Sequence, residues 1–284
     1  MPKERFHLLI ADEYLRSRQS PGTLSGTLAR ERTAFFLGAV SPDIFFYDLP
    51  TFSLGALGDR MHGLMERNGI APIREWLSGL ARTGPGTVPE AALAWGMGFA
   101  SHFLADALWH PVINELAGSL DFCSKKGLSA IGCHRLIESE MEAFWLPRKG
   151  DPGAYAGLLE RFGADSGLLG GISSIYRDFL GAAGLGPLPS VARIRRCFII
   201  QNLLLRLFSN RKLGEFRDRL LDARFGRGLG ALVVPTKPVL PSGPLSRVPA
   251  DRDPFSDDFM EKRLTSLIAR LSDLAERLSL SPPN

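Results

Sequence analysis

The chain of 284 residues is long enough to bury a large hydrophobic core, either as one domain or as two smaller ones. Hydrophobic residues make up 45% of the sequence and charged residues 23%, a composition that excludes a disordered chain and is typical of globular proteins. The formal net charge of +4 suits anionic partners such as phosphoesters, nucleic acid or lipid head groups, although a solvated basic surface is the simpler interpretation.

The three cysteines, Cys123, Cys133 and Cys197, form no CxxC pair. Their odd and sparse number predicts reduced, buried thiols rather than a disulfide framework. The amino-terminal stretch MPKERFHLLIADEYLR lacks the apolar core of a secretory signal, and no run approaches the roughly 18 apolar residues of a membrane span. We therefore expect a soluble, cytoplasmic protein.

The central part of the chain carries two strong helix signals. Residues Pro89–Trp109 are apolar nearly all round, which predicts a helix buried inside a sizeable protein. Pro89 suits the first turn of this helix, and Pro111 predicts its end. A second helix is predicted for Ser129–Leu146, with Pro147 beyond it as a terminator.

The carboxyl-terminal part also follows helical periodicity. Residues Ile194–Lys212 alternate apolar and basic faces, and a last helix is predicted for roughly Ser256–Leu278. Between them, residues 225–254 are rich in Gly and Pro and predict an irregular excursion over the surface, either a linker or a lid near a site. Strand signals are weak, so the sequence predicts an all-α fold with one domain over residues 1–284.

The distribution of histidines is uneven. The chain has five, and none lies in its second half. They are His7, His62, His102, His110 and His134. Such a distribution is unusual for a random scatter and indicates a shared role.

The segment SHFLADALWHP places His102, Asp106 and His110 in an otherwise apolar helix. Residues four apart are neighbours on one helix face, so Asp106 is a neighbour of both histidines. The two histidines themselves are separated by about 12 Å along the axis. Since a carboxylate has two oxygens and can bridge, this spacing favours two or more metal ions with Asp106 between them.

A second pair at the same spacing is His134 and Glu138 in the motif HRLIE. Upstream, His62 and Asp43 are further candidate ligands, and Asp43 falls in a predicted turn between apolar segments. Histidine nitrogen together with carboxylate oxygen suits zinc, and also suits iron or manganese.

Each of these residues has a simpler interpretation. A lone buried histidine is usually a core residue, and an HxxxD pair is also a common salt bridge within a helix. The HxxxE pair is accompanied by Glu140 and Glu142, which is typical of a solvated helix face. The conjunction of all the histidines with acids at i+4 on two helices favours a metal centre.

The order of the motifs FLGAVSPD, MHG, SHFLADALWHP and HRLIE resembles that of the zinc-dependent phospholipase C family. This family includes bacterial phosphatidylcholine-cleaving enzymes and the catalytic domain of glycosylphosphatidylinositol-specific phospholipase D, and it is distantly related to P1-type nucleases. The resemblance extends from His7 to Glu138.

This resemblance implies an all-α fold around two or three Zn²⁺ ions. The implied ligands are Asp43, His62, His102 and Asp106 for a first ion; His110, His134 and Glu138 for a second; and His7 with Asp106 for a third. Asp43 is also the implied general base, acting on water held by the metal. In the secreted members an amino-terminal tryptophan, exposed when the leader is removed, completes the third site, and no equivalent is evident here.

Taken together, the ligands and the resemblance predict a metal-dependent phosphodiester hydrolase. A phospholipid-like substrate is preferred over nucleic acid, and the 18 phenylalanines are numerous enough to line an apolar cleft for a diacylglycerol group, although phenylalanines also fill cores. Multinuclear zinc would activate water and neutralise the phosphodiester oxygens.

Two other functions fit the same residues. The first is a metal-dependent nuclease or small-molecule phosphoesterase with a basic rim at RIRR, residues Arg193–Arg196, although an exposed helix face explains that motif more simply. The second is a non-catalytic helical protein stabilised by metal. The basic segment Arg193–Lys212 is also a candidate for peripheral contact with an anionic membrane, although a packed helix with a wet basic side is the simpler interpretation.

Overall fold

The computed structural model describes residues 4–17, 23–81, 89–150, 166–223, 227–241 and 248–279. Over these residues the chain forms helices and no strand, which confirms the all-α prediction. The α-helices in chain order are α1 (Glu4–Ser17), α2 (Thr23–Arg30), α3 (Arg32–Val40), α4 (Gly55–Asn68), α5 (Ala71–Ala81), α6 (Glu90–Ser119), α7 (Asp121–Lys125), α8 (Ala130–Lys149), α9 (Ser166–Ala182), α10 (Val191–Phe208), α11 (Arg211–Asp222), α12 (Arg227–Leu232) and α13 (Asp257–Ser279). A 3₁₀ helix, Ser41–Tyr47, directly follows α3.

The described residues divide into two compact units, each of which collects stretches that are distant along the chain. The first unit consists of the described residues within 1–9, 107–155 and 203–265, and the second of those within 10–106, 156–202 and 266–284. The prediction of one domain stays a prediction.

Two prolines predicted to end helices lie inside them instead. Pro111 is an internal residue of α6, and Pro147 lies in the last turn of α8. The predicted ends at these residues were therefore wrong. After Pro111 the helix buries Ile113 and Leu116, and this packing offsets the hydrogen bond that the proline cannot make.

The cysteines differ from the expectation in part. Cys123 and Cys133 form a disulfide bond with a Cα–Cα distance of 5.6 Å, so the prediction of reduced thiols was wrong for this pair. Cys197 is free and buried, as expected. Burial raises the pKa of the Cys197 thiol to about 12, with a smaller contribution from the charge of Asp48, so this thiol is unreactive at neutral pH.

The described part of the stretch 225–254 belongs to the first unit and contributes to its core, rather than only covering a surface. It contains the short helix α12, and Ala231, Val233 and Leu240 are fully buried. Ser139 of α8 donates a hydrogen bond to the carbonyl of Ala231 at 2.7 Å. Whether this stretch acts as a lid stays a prediction.

The acidic stretch of α8 is buried, and not the solvated face considered from sequence. Glu140 is 0% exposed, forms an ion pair with the buried Arg217, and accepts hydrogen bonds from the backbone N–H groups of Val239 and Leu240 at 2.6 and 3.2 Å. Glu142 is also 0% exposed and lies 3.4 Å from Arg5. Desolvation makes a buried charge costly, and these partners compensate Glu140 for it. At Glu142 burial outweighs the opposing charge of Arg5 and raises the pKa to about 8.

In the second unit, α3 and α6 approach so closely that their backbones touch. A Cβ atom at Gly38 would lie 2.0 Å from the carbonyl oxygen of Trp95, and one at Gly98 would lie 1.9 Å from that of Phe35. Only glycine permits this approach. Around the contact lies a buried aromatic cluster of the same unit, comprising Phe45, Trp95, Phe99, Tyr176 and Phe179.

Directly after the 3₁₀ helix, the buried carboxylate of Asp48 links the chain to α10. It accepts hydrogen bonds from Arg193 and Arg196 of α10, from the Thr51 hydroxyl at 2.6 Å and from the Leu54 N–H at 3.2 Å. The bond from Arg193 is the largest influence and, with the other bonds, holds the pKa of Asp48 well below its usual range, although burial opposes this. Two arginines of the RIRR motif therefore have a structural role.

We predict that Gly98→Ala lowers the free energy of unfolding by about 2 kcal/mol or more, because its methyl group would overlap the Phe35 carbonyl and force α3 and α6 apart. Thermal denaturation followed by circular dichroism measures this. The matched control is Gly171→Ala in α9, where no atom lies within 4 Å of the new Cβ and where alanine is expected to be neutral or mildly stabilising. Equal melting temperatures for both variants would contradict the close contact.

We also predict a distinctive pH dependence for Asp48→Asn. Because the pKa of Asp48 is lower in the folded state than its reference value of 3.8, its stabilisation is present above that value and is lost as the pH falls through and below it. The variant should be less stable than wild type near neutral pH, and the difference in melting temperature should shrink from about pH 5 downward. Asp59→Asn, on the exposed side of α4, serves as control. A constant difference across this range would refute the assignment.

Candidate metal centre

The first cluster, Asp43, His62, His102 and Asp106, lies entirely in the second unit. Asp43 comes from the 3₁₀ helix, His62 from α4, and the other two residues from α6. Nε2 of His62 lies 3.3 Å from Oδ1 of Asp43, and Nε2 of His102 lies 4.0 Å from Oδ2 of Asp43 and 3.2 Å from Oδ2 of Asp106. Ligand atoms of Asp43, His62 and His102 all fall within 4.8 Å of one another.

The two histidines of this cluster are oriented by backbone carbonyl groups. Nδ1 of His62 lies 2.9 Å from the carbonyl oxygen of Gly58, and Nδ1 of His102 lies 2.9 Å from that of Ala39. A carbonyl oxygen can only accept, so each Nδ1 carries a hydrogen and donates it. Each Nε2 is then directed at the carboxylates, which is the arrangement found in metal-binding histidines.

Burial and charge make the first cluster attractive to a cation. Asp43 is 1% exposed and His102 is 0% exposed, so little water screens them. Burial by itself lowers the pKa of His62, but the hydrogen bond and charge of Asp43, together with the charge of Asp106, outweigh it and raise that pKa. The same negative charges that attract a proton to Nε2 of His62 would attract a metal ion to that atom.

The second cluster, His110, His134 and Glu138, lies entirely in the first unit. Nε2 of His110 and Nε2 of His134 both face Oε1 of Glu138, at 3.4 and 2.9 Å. Their ring centroids are 4.9 Å apart with an interplanar angle of 79°. Nδ1 of His134 lies 2.8 Å from Oδ1 of Asn114, which accepts its hydrogen.

Both clusters have the donor set of a zinc site. Each combines two imidazole nitrogens with at least one carboxylate oxygen, and zinc accepts both ligand types at a small coordination number. The ligand atoms of His110, His134 and Glu138 lie within 4.8 Å of one another, as do those of the three-residue group in the first cluster. Seven of the eight metal ligands predicted from sequence therefore lie in two clusters.

The remaining predicted ligand is His7. It is a buried residue of α1 and is 4% exposed. His7 belongs to the first unit and Asp106 to the second. The third ion, which would join them, stays a prediction.

Three groups that orient the histidines were missed in the sequence. The carbonyl groups of Gly58 and Ala39 leave no signal in the side-chain pattern. Asn114 did leave one, because it follows His110 by four residues on α6 and so lies on the same helix face.

A family model described as zinc dependent phospholipase C matches residues 6–167, which is more than half of the chain. No curated protein and no solved structure matched the chain. The matched range includes every residue of both clusters. The chain therefore belongs to the zinc-dependent phospholipase C family, a family of hydrolases.

Proposed function

We propose that this protein is a phosphodiester hydrolase of the phospholipase C type, with a phospholipid-like substrate and zinc as its cofactor. The observation that carries the proposal is the convergence of histidine Nε2 atoms on buried carboxylates, which occurs in each of the two clusters. Family membership supports the same chemistry.

The residues present fit zinc. Asp43, His62, His102 and Asp106 would hold one ion, and His110, His134 and Glu138 a second, while His7 with Asp106 would contribute to a third. When bound, zinc supplies a Lewis acid that makes water more acidic and neutralises negative charge on the phosphodiester. Iron and manganese accept the same ligands and are alternatives to zinc.

Asp43 is the proposed general base. Its carboxylate is buried at the carboxyl-terminal side of α3, and its oxygens lie 3.3 Å from His62 and 4.0 Å from His102. It would accept the proton of the attacking water on one oxygen while the water oxygen bonds to phosphorus and the bond to the leaving alkoxide breaks. The alkoxide would then take up a proton from solvent. The products are a phosphomonoester and an alcohol.

The ion pairs of two basic residues favour a phospholipid-like substrate over nucleic acid. Arg193 and Arg196 are paired with Asp48, so two of the three arginines of the RIRR motif are not free to form the basic rim that a nuclease would use. The phenylalanines give less support than expected to an apolar cleft for a diacylglycerol group, because most of the described ones are buried in the core.

Peripheral membrane contact is part of the proposal. In the second half of α10, Leu203 and Leu207 are 59% and 51% exposed and Arg206 between them is also exposed, a combination suited to an anionic lipid surface. None of the helices in the described part of the chain has the length and hydrophobicity of a membrane span.

We predict that protein purified without chelator carries zinc in both clusters. Asp43→Asn and Glu138→Gln should each lose about one ion per chain, because each removes a charged ligand from a different cluster. Metal content is measured by inductively coupled plasma mass spectrometry. The matched control is Asp59→Asn, which removes an exposed carboxylate from α4 close to His62 in sequence. Zinc content that stays at the wild-type level in both cluster variants would contradict the proposed ligands.

We predict that the zinc-loaded protein hydrolyses bis-p-nitrophenyl phosphate and, faster, phosphatidylcholine in mixed micelles. Asp43→Asn should reduce turnover by about 100-fold or more, because it removes both a ligand and the proton acceptor. Chelator should abolish turnover and added zinc restore it. Single-stranded DNA cleaved faster than lipid would favour the nuclease alternative, and zinc binding without any turnover would favour the non-catalytic one.

A further inference from the structure

Cys133, which forms a disulfide bond with Cys123, directly precedes His134 in the sequence. We propose that this bond positions His134 and thereby sets the zinc affinity of the second cluster. The proposal rests on the proposed zinc site and adds two positioning residues to it, Cys123 and Cys133.

The first turn of α8 has few other anchors among the described residues. Ser129, Ala130 and Ile131 are exposed, with Ile131 at 66%, whereas Cys133 is 0% exposed. The Ser129 hydroxyl caps the turn by accepting a hydrogen bond from the Gly132 N–H at 3.1 Å. A helix end with an exposed cap frays readily, so the buried Cys133 and its disulfide bond add a restraint that the cap alone does not provide.

The other end of the bond is fixed in a compact turn. Cys123 lies in α7 and is 3% exposed, and its carbonyl accepts a hydrogen bond from the Leu128 N–H at 2.9 Å. Gly127 has a φ of 64°, a conformation that glycine adopts without strain. The bond therefore links the start of α8 to a segment that is held by its own backbone hydrogen bonds.

The position of His134 depends on that link. Its ring makes two contacts at once, with Nδ1 2.8 Å from Asn114 and Nε2 2.9 Å from Glu138. Glu138 lies one turn further into α8 and is 5% exposed, so fraying of the first turn would move His134 while Glu138 stays in place. Loss of the bond should thus weaken zinc binding at the second cluster without changing the first, whose ligands come from α4, α6 and the 3₁₀ helix.

A thiol titration tests whether the bond exists. Of the three cysteines, only Cys197 is free, so denatured protein should show one reactive thiol without reductant and three after reduction. Three thiols in both conditions would overturn the proposal.

Zinc affinity then tests its role, measured by competition with a chromophoric chelator and without substrate. In an Asp43→Asn background, which leaves the second cluster as the stronger site, Cys123→Ala with Cys133→Ala should weaken zinc binding by about tenfold or more, the usual effect of removing a group that orients a ligand. The matched control is Cys197→Ala, the removal of a buried cysteine of the second unit, which should leave that affinity unchanged.

Wild-type affinity in the double cysteine variant would overturn the proposal, and so would an equal loss in the Cys197→Ala control. If the double variant does not fold, the same titration on Asp43→Asn protein with and without a phosphine reductant gives the comparison. Absence of zinc binding before any cysteine is changed would refute the proposed metal site itself, which separates the two failures.

Discussion

The close contact between α3 and α6 is the constraint on which the first cluster depends. Gly38 and Gly98 let the two backbones touch, and this brings the carbonyl of Ala39 to 2.9 Å from Nδ1 of His102. The chain then turns directly from α3 into the 3₁₀ helix that carries Asp43. A larger residue at either glycine would displace the carbonyl and the carboxylate together. Packing and ligand geometry are therefore set by the same contact.

The second cluster depends on polar side chains rather than on backbone contact. Asn114 orients His134, and the disulfide bond restrains the turn from which His134 projects. On α8 itself, Glu138 faces the histidines, while Glu140 forms an ion pair with Arg217 and accepts hydrogen bonds from backbone N–H groups. The helix thus buries a structural carboxylate and a proposed ligand two residues apart, each with partners of its own.

Much of the fold and of the candidate site could be predicted from sequence, because the helices and two pairs of candidate ligands show the residue spacing of an α-helix. The pairs His102 with Asp106 and His134 with Glu138 lie at i and i+4, and the structure brings each pair into contact. The grouping of Asp43 and His62 with His102 required the family resemblance, since spacing alone does not show which distant elements meet.

Other features could not be predicted because they depend on tertiary packing. Pro111 and Pro147 are tolerated inside helices, and Glu140 and Glu142 are buried although their stretch is charged. The disulfide bond joins cysteines ten residues apart without a recognisable motif, and a disulfide is more typical of oxidising compartments than of the cytoplasm predicted from sequence. Cellular location stays a prediction.

The central claim is that the two clusters are metal sites, and anomalous X-ray diffraction at the zinc absorption edge tests it most directly. Crystals grown without chelator should show one anomalous peak within about 2.1 Å of Nε2 of both His62 and His102, and another at the same distance from Nε2 of His110 and His134. No peak at either cluster, with His62 hydrogen-bonded directly to Asp43 in a crystal supplied with zinc, would contradict the account.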